Sequence, residues 1–201
     1  MCTHIICIGR QYGSGGREVG ERLAAALHVP CYDKLLLQRA AQEFHLSEAA
    51  LAQQDERPAN FFQFLSGNTF ADMASIAHSF YSGNQMAYEA ERAAILKLAD
   101  QGPCIIIGRC ASSILRQREN VCSIFLYADM EDRVHRVMSR NHLEEKDAQK
   151  RIRKMDRMRR EYFGFYADTV WGQPESYDLM LSTSCYGIDG CVHLILNSLE
   201  L

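Results

Sequence analysis

The stretch Gly9-Arg10-Gln11-Tyr12-Gly13-Ser14-Gly15-Gly16-Arg17-Glu18 leaves this chain fewer ways to fold than any other part of it. It follows His4-Ile5-Ile6-Cys7-Ile8, a short apolar run rich in branched residues, as a strand buried on both faces should be. It precedes Val19, Leu23 and Leu27, an apolar stripe at helical spacing. A strand, a glycine loop and a helix in that order let backbone N–H groups converge on an anion, and the helix N-terminus adds favourable partial charge. Glycine is needed in such a loop because the backbone takes unusual dihedrals and approaches its ligand closely.

The loop resembles the phosphate-binding pattern G-x-x-x-x-G-K-S/T and departs from it in two places: Gly16 or Arg17 stands where the lysine belongs, and no hydroxyl follows. Gly13, Ser14, Gly15, Gly16 and Arg17 are therefore the candidate phosphate-binding residues. The competing reading is a tight strand-to-helix turn that binds nothing.

With 201 residues, 47% of them apolar, the chain can bury a full core and is expected to form one domain with an inserted lobe. No apolar run has the length of a membrane span, and the N-terminus lacks a basic-then-apolar signal layout, so a soluble cytoplasmic protein with no membrane partner is expected. The eight cysteines sit singly, several within apolar runs, with no C-x-x-C pair, which favours buried reduced thiols over disulfides or zinc. The net charge of -3 argues against general nucleic-acid binding. Yet half of the 22 basic residues lie between Arg133 and Arg160, either as a device for meeting polyanions or as a solvated helix face.

Along the chain, His28 to Asp33 reads as a turn into a second strand, and Lys34 to His45 and Ser47 to Leu51 as helices. Residues 55–83 read as short helices covering something. Gln85 to Asp100 is the clearest long helix, stopped by Gly102-Pro103. Cys104 to Ile107, Val121 to Tyr127 and Tyr177 to Ser182 read as strands, Met130 to Asn141 as a basic helix, and Ile188 to Leu199 as a closing helix. Alternating strands and helices predict an α/β fold with a parallel sheet, whose ligands bind beyond the carboxyl ends of the strands. Gly9, Asp33, Gly108-Arg109 and Asp129 all fall at such ends.

At this point an ordered set of motifs resembles the cytidylate kinase-like family of phosphate-loop nucleoside monophosphate kinases. Gly13-Ser14-Gly15-Gly16 resembles its G-A-G-K, with one extra residue upstream. The interval from Gly16 to Asp33 matches the family's interval from loop lysine to the aspartate of L-D-S-G, written here Tyr32-Asp33-Lys34-Leu35. Ile107-Gly108-Arg109-Cys110 resembles D-G-R-D. Arg133-Val134-His135-Arg136, Arg153 to Arg159 and Tyr177-Asp178-Leu179 resemble E-R-x-H-R, R-D-x-x-D-R-x-R and L-D-T. The resemblance covers essentially the whole chain.

It implies a three-layer P-loop NTPase fold with a five-stranded parallel sheet, a helical acceptor-binding insertion over residues 34–83 and an arginine-rich lid over 141–170. It implies ATP and Mg²⁺ as cofactors and phosphoryl transfer to a nucleoside monophosphate or related small phosphate acceptor. Asp33, Lys34, Arg109 and Asp156 fall on the acceptor side by this resemblance. Arg153 and Arg157 belong to the lid and, with Arg17, are the candidate catalytic cations; Arg133 approaches the adenine or the phosphates. No protein metal ligand is implied. The changes from S to Lys34 and from D to Cys110 leave the acceptor open.

Phosphoryl transfer relies on positioned positive charge, so an active enzyme with glycine at position 16 needs a replacement cation. Arg17 is the nearest, with the lid arginines or Lys34 as substitutes should it point away along the helix. Several roles stay open: Asp33 caps a helix or contacts ligand, Glu18 suits the helix dipole or a water-mediated Mg²⁺ contact, and Arg109 meets a carboxylate or a phosphate. Function divides likewise between a kinase, a nucleotide-binding relative weak in catalysis that acts as sensor or scaffold, and a polyanion-binding module.

Overall fold

A computed structural model describes residues 4–43 and 70–199. The apolar runs become five strands, β1 Ile5–Arg10, β2 Cys31–Tyr32, β3 Ile105–Ile107, β4 Val121–Tyr127 and β5 Leu179–Ser182. They form one sheet in the order β2-β3-β1-β4-β5, and every pairing is parallel. The connecting helices are α1 Gly16–Leu27, α2 Lys34–Glu43, α3 Phe70–Gln101, α4 Ala111–Ile114, α5 Met130–Asn141, α6 Glu145–Tyr166 and α7 Thr183–Leu199, with a 3₁₀ turn at Pro174–Ser176.

Both faces of the sheet are covered. Ile6, Ile8, Ile105, Ile107, Ile124 and Leu126 project to one side, where Val19 and Leu23 of α1 and Cys191, Val192 and Ile195 of α7 meet them. Ile5, Cys7, Cys104 and Ile106 face the other side and pack on Leu37 of α2, Ile95, Leu98 and Ala99 of α3, and Ala111 and Leu115 around α4. A third cluster of Cys110, Phe125, Phe163, Trp171 and Tyr177 closes that second face where the end of α6 returns over the sheet. Burial on both faces is what uninterrupted branched runs require.

The topology fixes the place of a site. β1 runs into α1 on one face, whereas its neighbour β3 runs into α4 on the other. Adjacent strands that leave their carboxyl ends toward opposite faces open the crevice in which α/β sheets bind ligands.

Two boundaries differ from expectation. The long helix begins at Phe70 rather than Gln85, because an isolated Gly83 costs only about 1 kcal/mol in a helix otherwise rich in alanine. The closing helix begins at Thr183, directly after β5, and breaks at Gly187 (φ 67°, ψ 177°) before resuming. The expected helix at Ser47 to Leu51 and most of the insertion over 34–83 lie outside the described residues. The seven described cysteines are all free thiols, five of them half-buried or buried in the two main cores. No helix among the described residues is long and apolar enough to cross a membrane.

Candidate functional site

The glycine loop sits at the crevice, and its backbone is held from outside by its carbonyls. Arg159 Nη1 donates to Arg10 O (3.0 Å), Ser14 Oγ to Gln11 O (2.9 Å), Arg133 Nε to Tyr12 O (2.8 Å), Arg136 Nη1 to Gly13 O (3.3 Å) and Thr183 Oγ1 to Ser14 O (2.7 Å). Five consecutive carbonyls thus face protein donors. The amide of Gln11 joins Leu126 O and that of Tyr12 joins Asp156 Oδ1 (2.7 Å). Among the described residues, the amides of Gly13, Gly15, Gly16 and Arg17 donate to no protein acceptor. The loop thus has its carbonyls consumed and four amides left over at the N-terminus of a twelve-residue helix, an arrangement suited to an anion.

Two glycines of this loop are required by their surroundings. Gly13 (φ 83°) and Gly15 (φ 79°) are left-handed, and a Cβ at either would fall 2.9 Å from Arg133 O or 2.5 Å from Ile188 Cδ1. The loop is therefore packed between α5 on one side and α7 on the other.

The expected site residues divide by what they touch. Arg133 and Asp156 come together as a nearly buried ion pair beneath the loop, both of them also bonded to the backbone of Tyr12. Asp156, expected on the acceptor side, is thus bonded to the glycine loop. Ser14 is fully buried and internal to the loop. Arg17 points away along α1: its Nε donates to Glu21 (2.8 Å) and its Nη2 lies 3.6 Å from Asp33. These carboxylates raise its pKa, the Glu21 hydrogen bond first, so it stays cationic. Asp33 caps α2 by accepting from the amides of Leu35 (3.0 Å) and Leu36 (3.2 Å). Lys34 opens that helix, half-buried.

Arg109 is buried at the end of β3. Its Nη1 lies 3.4 Å from Glu91 Oε2, and its guanidinium stands 5.2 Å from the ring centre of Tyr162, whose hydroxyl donates to Glu91 (3.0 Å). Burial, with Glu91 adding to it, drives the Tyr162 pKa well up, so the phenol stays protonated as that donor. Arg153 and Arg157 are exposed on α6, and no contact among the described residues brings them to the loop. Glu18 forms a surface ion pair with Arg22.

Four further residues hold the loop: Arg136, which the sequence places on the basic face of α5, and Tyr12, Gln11 and Thr183, to which it gave no role of their own. Tyr12 is the handle by which α5 and α6 grip it: Arg140 and Arg159 stand 5.2 and 5.4 Å from its ring centre, and Arg151 Nε donates to its hydroxyl (3.1 Å). Gln11 Oε1 accepts from Ala128 N (3.1 Å). Arg136 and the buried Thr183 bond each other (3.2 Å) as well as the loop. The spacing of Arg133 and Arg136 on one face of α5 was a signal for the pair; nothing local marked Thr183. A cleft of about 520 Å³ adjoins the loop at Gln11, between Tyr127, Asp178 and Met180.

Comparison with known proteins bears on the family and the fold. The cytidylate kinase-like family profile matches residues 5–185. Among solved structures, an uncharacterized protein from Eubacterium ventriosum is 27% identical with a TM-score of 0.76, the alignment covering 98% of each chain. A shikimate kinase from Bacteroides thetaiotaomicron is 15% identical with a TM-score of 0.55 over 98% of this chain and 99% of that one. A gluconokinase from Sinorhizobium meliloti is 13% identical with a TM-score of 0.53 over 100% and 93%. The last two show the shared fold. No curated protein matches the chain.

Proposed function

Because the chain belongs to the cytidylate kinase-like family, we propose that it binds ATP on the glycine loop and transfers the terminal phosphoryl group to a small phosphate acceptor of the nucleoside monophosphate class. The observation that carries this reading is the set of unconsumed amides at Gly13, Gly15, Gly16 and Arg17. They suit the oxygens of a polyphosphate, and the carbonyls that would repel those oxygens are already engaged.

The residues present fit the nucleotide and constrain its metal. Among the described residues there is no group of three His, Cys, Asp or Glu side chains placed to hold a cation, and Arg17 replaces the hydroxyl that a phosphate loop offers to Mg²⁺. Mg²⁺ would be held by phosphate oxygens and water, where it neutralises developing charge. The chain's own contribution is to fix the loop through Arg133, Arg136, Asp156 and Thr183. In this reading the segment 34–83 covers the acceptor. The segment 141–170 is the lid, anchored through Tyr12, with Arg153 and Arg157 on its exposed side.

Glycine at position 16 and the outward course of Arg17 favour a second reading, a nucleotide-binding relative with weak transfer that acts as sensor or scaffold. One pair of measurements separates the two. Melting temperature rises with ATP in both cases. Incubation with ATP·Mg²⁺ and a panel of nucleoside monophosphates yields ADP above the ATP-only background only for the kinase; background ADP with every acceptor, alongside an ATP-dependent thermal shift, leaves the second reading standing. Absence of any shift with ATP, ADP or AMP ends both.

A further inference from the structure

The empty lysine position has a neighbour that fills its space. Gly16 is the first residue of α1, and a Cβ built there would stand 2.8 Å from Arg10 Cβ and 3.0 Å from Arg10 Cγ. The stem of Arg10 therefore runs through the volume in which a side chain at position 16 would start. From there the guanidinium crosses to the end of the neighbouring strand: a Cβ at Gly108 would fall 1.9 Å from Arg10 Nη1 and 2.9 Å from its Cζ. Arg10 is the last residue of β1, and Gly108 follows β3. Its cationic head lies at the crevice where β1 and β3 send their chains to opposite faces of the sheet, between the start of the glycine loop and the Gly108-Arg109 segment. Its carbonyl is held by Arg159, which fixes the backbone from which the side chain springs.

We propose that Arg10 is the phosphate-directed cation of this site, doing from the end of β1 what the loop lysine does in other phosphate loops, and that Gly16 is a glycine because the Arg10 stem needs its space. The proposal rests on the phosphate-loop reading above and deepens it. The planar guanidinium offers donors in a fork that matches two oxygens of one phosphate, or one oxygen each of two, and remains charged at any working pH. Placed between the glycine loop and the segment after β3, it suits the β- and γ-phosphates of a nucleotide bound on the loop.

The test uses the full chain and measures affinity for ATP and AMP by calorimetry in wild type, R10Q, G16A, R10G and the swap R10G/G16K, with thermal melting to confirm folding. R10Q is expected to bind ATP about 10- to 100-fold more weakly, the size of a lost hydrogen bond to a charged group, with AMP affinity within about twofold of wild type. G16A retains Arg10 but puts a methyl group 2.8 Å from its Cβ, at a position with no left-handed backbone to strain, so it displaces the arginine and should lose ATP affinity in the same sense. R10G/G16K returns the cation to the loop and should bind ATP at least about tenfold more tightly than R10G. ATP affinity unchanged in folded R10Q or G16A, or a swap no tighter than R10G, overturns the assignment of Arg10 while leaving the loop a nucleotide site. Wild-type protein that binds no ATP overturns the phosphate-loop reading itself.

Discussion

The residue that ties the most together is Asp156. One carboxylate oxygen takes the Tyr12 amide and the other the Arg133 guanidinium, and both side chains are largely shielded from water. Removing one partner of a buried pair leaves the other charge uncompensated, at about 3 kcal/mol or more. D156A should therefore lower the melting temperature by about 10 °C in a chain of this size and weaken ATP binding, since the loop loses its clamp. D156N, which keeps an acceptor for the Tyr12 amide, should fall between D156A and wild type. A D156A protein that melts within about 2 °C of wild type would show that the pair contributes nothing net. The sequence marked both residues as charged and relevant but not as partners, because 23 positions of chain separate them and only the packing of α5 on α6 brings them together. Arg109 was marked by its place after a buried strand; its tie to Glu91 was hidden inside what reads as an ordinary polar face of a long helix.

At the scale of elements, helix ends give the sharpest expectations. His28 ends α1 in a left-handed conformation (φ 55°, ψ 42°) with its amide on Ala24 O. Glycine adopts that conformation without penalty, so H28G should stabilise the protein by about 0.5–1 kcal/mol, read as a higher urea midpoint with an unchanged slope; a lower midpoint would mean that the imidazole makes a contact worth more than the strain. Gly187 behaves in the opposite way. Its dihedrals belong to glycine alone, and a Cβ there would meet nothing within 4 Å. G187A should cost about 1–3 kcal/mol through strain without any clash, or straighten α7 and shift Thr183 off the loop. Equal stability and equal ATP affinity in G187A would refute this. Strands and most helices were legible because branched runs and apolar stripes report burial directly. The break in α7 was not, since a glycine inside an apolar helix gives no sign of which backbone region it occupies.

For the whole molecule, the buried thiols set the response to alkali. Burial pushes Cys31, Cys104 and Cys122 from an ordinary value of 9.0 up to about 11, and Cys110 to about 12. Above pH 9 the unfolded chain releases these protons and the folded chain keeps them, so the unfolded state binds fewer protons and stability falls with rising pH. The urea midpoint under reducing conditions should hold steady to about pH 8 and decline between pH 9 and 11, less steeply in C104A; a flat profile to pH 10.5 would contradict the burial of these thiols. The α/β architecture and the parallel sheet followed from strand–helix alternation alone. What did not follow was the course of Arg10, because a side chain crossing from one strand end to the next leaves no periodic trace. The tethering of five loop carbonyls carries one more consequence. Backbone freedom in that segment is surrendered when the polypeptide folds, not when a guest arrives, so capture of an anion asks for little rearrangement: encounter should proceed at rates typical of rigid partners, and its heat-capacity change should reflect desolvation of the guest and the loop amides without a contribution from ordering of the chain.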